Sequence, residues 1–163
     1  MALVIVWELP DGTLALTTPG DALPLLPGET EAQRLDRVAA ETLARSPFLA
    51  LAVRRPNVDR AALPSRRWRN AWRRVAGNIV PQPNAARALR RAEVLAERDA
   101  RLERVRKKLQ DAIEDNATTA VLNAIKQKAR DLRMLDEAVL ATRLATVAVA
   151  DLEAWVPVEF AQT

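Results

Sequence analysis

The sequence predicts an α+β protein built as a small amino-terminal β-β-α-β unit, a bridging β-hairpin and a long carboxy-terminal antiparallel α-hairpin. Three observations carry that prediction. Short β-branched runs separated by turn residues open the chain, proline and glycine are concentrated before residue 84, and beyond it apolar residues recur every three or four positions among charged ones. The corresponding divisions are residues 1–64, 65–83 and 84–163.

Leu3 to Leu9 reads as a strand, Pro10-Asp11-Gly12 as a turn and Thr13 to Thr18 as the returning strand, together a hairpin. Pro19, Gly20, Pro24, Pro27 and Gly28 then predict an irregular connection. Thr30 and Gln33 have the spacing of a capping box, and the helix it opens runs to about Arg45 with Leu35, Val38, Ala39, Thr42 and Leu43 on one face. Phe48 to Val53 reads as a further strand. Arg54 to Pro64, with Pro56, Asn57 and Pro64, reads as a linker. Ala71 to Val75 and Ile79 to Val80 pair across a Gly77-Asn78 turn, with Trp72 and Val75 as apolar anchors.

From Asn84 to about Glu114, Ala88, Leu95, Leu102, Val105, Leu109 and Ala112 mark one narrow seam on a long helix. Glu93, Glu97, Arg98, Arg101, Arg104 and Lys108 are expected to line solvent-facing rows. Asp115-Asn116-Ala117 breaks the helix, and Thr118 or Thr119 caps a second one carrying Leu122, Ile125, Ala129 and Leu132. The seam faces either its own partner helix and the β part or another subunit, and the pattern weighs the two equally. Asp136 to Leu144 reads as helical, and Thr146 is expected to cap a last turn through Asp151, Leu152 and Trp155 that Pro157 stops.

Composition narrows the function classes. With 163 residues, 49% hydrophobic and 28% charged, the chain suits one folded domain or a small domain with an extended appendage. It contains no cysteine and no histidine, so thiol nucleophiles, zinc-thiolate sites and the usual neutral-pH base are excluded, and no paired-carboxylate constellation stands in for them. The expectation is a protein that is not an enzyme and has no cofactor or metal. The apolar start lacks a basic leader and ends early at Pro10, so it reads as a strand rather than a signal peptide or membrane span, and use without export is expected.

Arg54, Arg55, Arg60, Arg66, Arg67, Arg69, Arg73 and Arg74 fall in one short span interrupted only by Asp59. Cations interleaved with aromatic rings suit single-stranded nucleic acid, where phosphates meet charge and bases stack. The net charge of the whole chain is only +4, however, and no helix-turn-helix or glycine-rich phosphate loop accompanies the patch. Trp68 and Trp72 are four apart: on a helical turn they share a face, and with strand pairing from Ala71 Trp72 becomes a core anchor. Both arrangements bury the rings. Arginine stems then cover them and the guanidinium heads reach carboxylates, as at protein interfaces.

Leu63-Pro64-Ser65-Arg66-Arg67-Trp68-Arg69-Asn70-Ala71-Trp72-Arg73, the glycine turn, the strand through Ile79 and Val80, and Ala85-Arg87 opening a helix form one pattern. It resembles an aromatic-Arg-Asn-Ala-Trp-Arg motif of small tail-associated structural proteins of tailed bacteriophages, in which a hairpin and a charged helix follow. Gln127 to Arg133 and Leu152-Glu153-Ala154-Trp155-Val156-Pro157 resemble the second helix and the terminal Leu-x-x-x-Trp-Pro segment of that group. The resemblance covers roughly the last two thirds of the chain. Val156 separates Trp155 from Pro157, and Trp68 stands where the group more often has phenylalanine.

The resemblance implies a virion protein without enzymatic activity, assembled in the host cytoplasm, that joins fibres to the tail or assists fibre assembly. The expected partners are other tail, neck or fibre proteins, with several symmetric copies present and no membrane. In that setting Trp68, Trp72 and Trp155 serve as anchors, Asn70 satisfies backbone groups in the turn, and Arg67, Arg69 and Arg73 meet acidic surfaces. The alternatives are a nucleic-acid-binding protein using residues 54–74 and a tail-fibre assembly chaperone absent from the finished particle.

Overall fold

A computed structural model describes residues 2–20 and 23–161. The protein is α+β, with small antiparallel sheets in its amino-terminal part and a long helix whose successor packs back on it. The chain divides into two compact units, residues 1–82 and 83–163.

In the first unit β1 (Leu3–Glu8) is the middle strand of a three-stranded antiparallel sheet, flanked by β2 (Leu14–Thr17) and β3 (Val53–Asp59). Its run Val4 to Trp7 is buried on both faces, which explains why the segment is continuously apolar rather than alternating. β1 and β2 turn through a three-residue loop closed by Gly12 at φ +77°, the left-handed position that favours glycine. The predicted connection after β2 passes through residues 21 and 22, which lie outside the described residues. Helix α1 (Glu31–Arg45) opens with the predicted capping box: Thr30 Oγ1 accepts from Gln33 N–H, and the Gln33 side chain accepts from Thr30 N–H. α1 buries Leu35, Val38 and Ala39 with Ile5, Trp7 and Leu49.

Three expectations fail here. Phe48 to Val53 is not a strand. Pro47 starts a 3₁₀ turn, Pro47–Leu49, whose Leu49 drops into the core while Phe48 and Leu51 stand 66% and 78% exposed. Leu49 rather than Leu43 completes the α1 face, and Leu43 is exposed. Of the stretch read as a linker, residues 54–59 belong to strand β3 and Arg60–Ala62 form a 3₁₀ turn. Pro56 is tolerated because β3 is an edge strand and the ladder shifts between Val4 and Val6, where Pro56 and Asn57 oppose Ile5 alone.

The second hairpin joins β4 (Trp72–Val75) to β5 (Asn78–Pro81). Its turn sits one residue earlier than predicted: Ala76 and Gly77 have φ of +48° and +88°, the paired left-handed geometry of a two-residue hairpin, and Asn78 already pairs with Val75. Trp72 and Val75 are three apart and so fall on opposite strand faces. Ile79, not Val75, is buried alongside Trp72.

The second unit is organised by α2 (Pro83–Glu114), a 32-residue helix with proline at its first position, and α3 (Thr119–Arg133), which returns antiparallel to it. Between them Asn116 adopts φ +52°, Asn116 N–H donates to Ile113 O and Ala117 N–H to Ala112 O, the Schellman pairing that satisfies the last carbonyls of α2. Helix α4 (Glu137–Ala145), capped by Asp136 Oδ1 on Val139 N–H, also packs on α2, and the short α5 (Val158–Ala161) follows Pro157. The core joins Val94, Leu102 and Val105 to Ala129, Leu132, Leu135, Leu140 and Phe160.

The long seam differs from the heptad reading in its first half. Ala86, Arg90 and Val94 are buried and Ala88 is exposed, because the buried positions there step by four before Leu102 and Val105 resume the shorter spacing. Thr118 occupies the cap position of α3, but its side chain makes no capping bond. Thr146 ends α4 in helical backbone geometry (φ −93°, ψ −8°) instead of opening the last turn, which begins from Ala148 as a 3₁₀ turn, Val149–Asp151.

Arginines of α2, among them Arg98 and Arg101 that were expected in solvent, are part of the closure of this unit. Arg87 donates to Val147 O (3.1 Å), Arg90 to Trp155 O, Arg98 to Leu135 O (2.8 Å) and Arg101 to Phe160 O (3.1 Å), so four guanidinium groups on α2 satisfy three carbonyls in the joints that follow it and one in the short α5. Arg90 is 7% exposed and also holds Glu93 at 3.0 Å. Replacing it with methionine removes the donors at nearly constant volume and leaves the Trp155 carbonyl unmet, a loss of about 2 kcal/mol. Urea unfolding of Arg90→Met should show that loss, with Arg90→Lys recovering little because an ammonium lacks the planar fork.

Candidate functional site

The arginine-tryptophan segment is built from two consecutive 3₁₀ turns, Arg66–Ala71, leading directly into β4. Ser65 starts them by accepting Arg67 N–H on its hydroxyl and Trp68 N–H on its carbonyl. A kink at Trp68 (φ −95°, ψ 19°) separates the turns. In 3₁₀ geometry residues three apart eclipse, so Trp68 and Ala71 point inward together while Arg66, Arg67, Arg69 and Asn70 face solvent. Trp72 then enters as the first residue of a strand.

The predicted site therefore separates into core and surface. Trp68 and Trp72 are 2% and 1% exposed, and both are structural anchors of the first unit. Arg67 lies over the Trp68 ring at 5.5 Å, covering the aromatic from outside. Arg73 is half-buried, donates to Trp72 O at 2.8 Å, and runs within 3.7 Å of the space above Gly12, beside the Asp11 turn. Asp11 is held below the usual carboxylate range first by the Thr13 hydroxyl and amide, with Arg73 contributing a smaller share. Asn70 does not fill the role expected of it: its side chain is exposed and has no partner among the described residues, and Ser65 satisfies the turn instead. Arg69 remains exposed. Trp155 belongs to the second unit, where it packs half-buried against the Val94 and Leu132 core.

Two arginines of the supposed patch are already paired inside the sheet unit. Arg54 reaches Asp36 of α1 at 2.7 Å and Arg55 reaches Glu8 of β1 at 2.7 Å, each on the face its strand register dictates. The same economy of donors appears along α1. Arg34 donates to Leu23 O at 2.8 Å, and Arg37 donates to Pro24 O at 3.0 Å while forking onto Glu29 at 2.9 and 2.8 Å. What remains of the patch without a carboxylate partner among the described residues is Arg60, Arg66, Arg69 and Arg74.

Sequence reading missed the exposed apolar turn. Leu43, Phe48, Leu51 and Val53 are 41–78% exposed within a stretch of eleven residues. Ser46-Pro47 was the available signal, since proline there starts a new turn rather than a strand. Among the described residues no three potential metal-ligating side chains lie together, and no helix is long and apolar enough to cross a membrane. Comparisons with protein-family models, curated proteins and solved structures returned no match to this chain.

Two measurements separate core from surface here. Trp68→Ala should cost about 3 kcal/mol or more in unfolding free energy, whereas Arg69→Ala and Asn70→Ala should each stay within about 0.5 kcal/mol of the parent. The Glu29 clamp gives a pH signature. Hydrogen bonds from Arg37 and then from Leu26 N–H hold the Glu29 carboxyl down at about 2 against an ordinary 4.5. A carboxyl depressed by folding adds stability above its unfolded value and loses it as pH falls through the folded one. The difference in urea midpoint between the parent and Glu29→Gln should therefore be widest above pH 4.5 and close by about pH 2.

Proposed function

We propose that this protein is a non-enzymatic structural component of a bacteriophage virion, an adaptor of the tail or neck that docks tail fibres or neighbouring tail proteins. The observation that carries the docking part is the exposed apolar turn. Phe48 and Leu51 project on either side of a buried Leu49, so the chain holds them in place without covering them. Large apolar side chains held out in water are what protein contacts bury. The arginines at 60, 66, 69 and 74 supply the basic, polar setting in which such contacts are commonly found, and guanidinium groups recognise carboxylates through paired bonds.

The virion setting rests on the Arg-Trp-Arg-Asn-Ala-Trp-Arg motif at Arg67 to Arg73 and its resemblance to small tail-associated proteins. Assembly in the host cytoplasm and repeated copies around a symmetric particle follow from that setting. Quantitative mass spectrometry of purified particles tests it: the protein should be present at a fixed ratio to the major tail protein, and a Phe48→Asp, Leu51→Asp double variant should be incorporated several-fold less well. Absence from the particle combined with presence during fibre maturation would replace the adaptor with an assembly chaperone. Tight oligonucleotide binding that weakens steeply with salt would instead assign the 54–74 arginines to nucleic acid.

A further inference from the structure

The α-hairpin carries a groove of about 550 Å³ along one side of the α2–α3 contact. Its floor is apolar, formed by Val105 of α2 with Ala124 and Ile125 of α3. Val121, one turn nearer the tip and 47% exposed, continues the same wall by helical spacing. The rim is basic: Arg101, Arg104 and Lys108 come from α2 and Lys128 from α3. Asp131 is the one carboxylate in the lining, and it already accepts the Gln127 amide at 2.8 Å.

The positive charge here is not balanced within the hairpin. Arg101 is engaged by Glu97 and the Phe160 carbonyl, but Arg104 and Lys108 have no carboxylate partner among the described residues. Burial, then the charges of Lys108 and Arg101, push the Lys128 ammonium below its ordinary pKa. Four cations and one carboxylate thus line an apolar floor. Structural closure accounts for Arg101 but not for Arg104 and Lys108, since the staples from α2 to backbone carbonyls of later elements use Arg87, Arg90, Arg98 and Arg101.

We propose that this groove binds an acidic amphipathic segment of a partner protein, with carboxylates on Arg104 and Lys108 and apolar side chains against Val105, Ala124 and Ile125. The floor favours this occupant over a nucleic acid. Phosphate backbones match the rim, but aliphatic side chains give bases no ring to stack on, whereas leucine or valine of a helix fits between Val105 and Ile125. The charge arrangement gives orientation and rate of encounter, and the apolar floor gives area. The inference rests on the adaptor reading, to which it adds the chemistry of one partner.

The full chain would be titrated with a fluorescein-labelled helical peptide of about 14 residues carrying leucine and glutamate at i, i+4 spacing, and with the same peptide bearing lysine for glutamate. Saturable binding of the glutamate peptide should weaken roughly tenfold in the Arg104→Glu, Lys108→Glu double variant, and the lysine peptide should prefer that variant over the parent. This reversal keeps the test informative if the substitutions alter stability. No saturable binding to the parent, or equal binding by the variant, overturns the proposal. So does displacement of the peptide by oligothymidylate at a lower concentration than unlabelled peptide, or self-association of the parent that the double variant abolishes. Particle stoichiometry is measured separately: a fixed copy number without peptide binding removes this groove assignment and leaves the adaptor standing.

Discussion

A backbone carbonyl withdrawn from water needs a donor, and in this chain the joints between elements are closed largely by arginine. The peptide groups of Leu135, Val147, Trp155 and Phe160 lie where α3, α4, the last 3₁₀ turn and α5 begin or end, and each receives a guanidinium from α2. A long helix makes this possible because it is the one element whose own hydrogen bonds are complete along most of its length. It can present side-chain donors at successive heights, and the irregular chain that follows finds its fixed points on them. In the first unit Arg34 and Arg37 on α1 do the same for the carbonyls of Leu23 and Pro24 in a proline-rich loop.

This arrangement changes how the arginine content of the chain bears on function. A local excess of arginine read from sequence resembles a binding surface, yet a guanidinium with five donors serves equally well as an internal bracket. Two of the places where basic side chains lack a carboxylate partner among the described residues bear on binding. One is the outer side of the 3₁₀ turns around Trp68. The other is the α2–α3 groove, where Arg104 and Lys108 stand over aliphatic side chains. Each adjoins or belongs to a unit with its own core, so contact made there need not disturb folding.

Much of the fold was legible because local rules agreed with tertiary packing. The Thr30–Gln33 box and the Asn116 break each depend on residues within four positions, and each formed where the spacing placed it. The misreadings of β3 and of the α2 seam have a different cause. β3 contains Pro56 and few buried side chains, so its identity as a strand comes from β1 beside it, which no local pattern records. Ala88 and Ala86 are chemically identical in sequence, and only the partner helices decide which one faces in. Of the site residues, Trp68 and Trp72 were legible as buried rings, while Asn70 was not, since an asparagine gives the same turn signal whether its amide bonds the backbone or faces water.

The brackets on α2 end on amide carbonyls, and neither partner in such a bond titrates in ordinary aqueous conditions: an arginine keeps its proton and a peptide oxygen does not acquire one. The clamp on α1 ends partly on a carboxylate, Glu29, which does. The sequence contains no histidine, so no imidazole changes charge near neutrality in either unit. The carbonyl joints on α2 therefore keep their donors and acceptors through the acid range in which the Arg37–Glu29 clamp lets go, so acid loosens the loop beside α1 without reaching those four bonds.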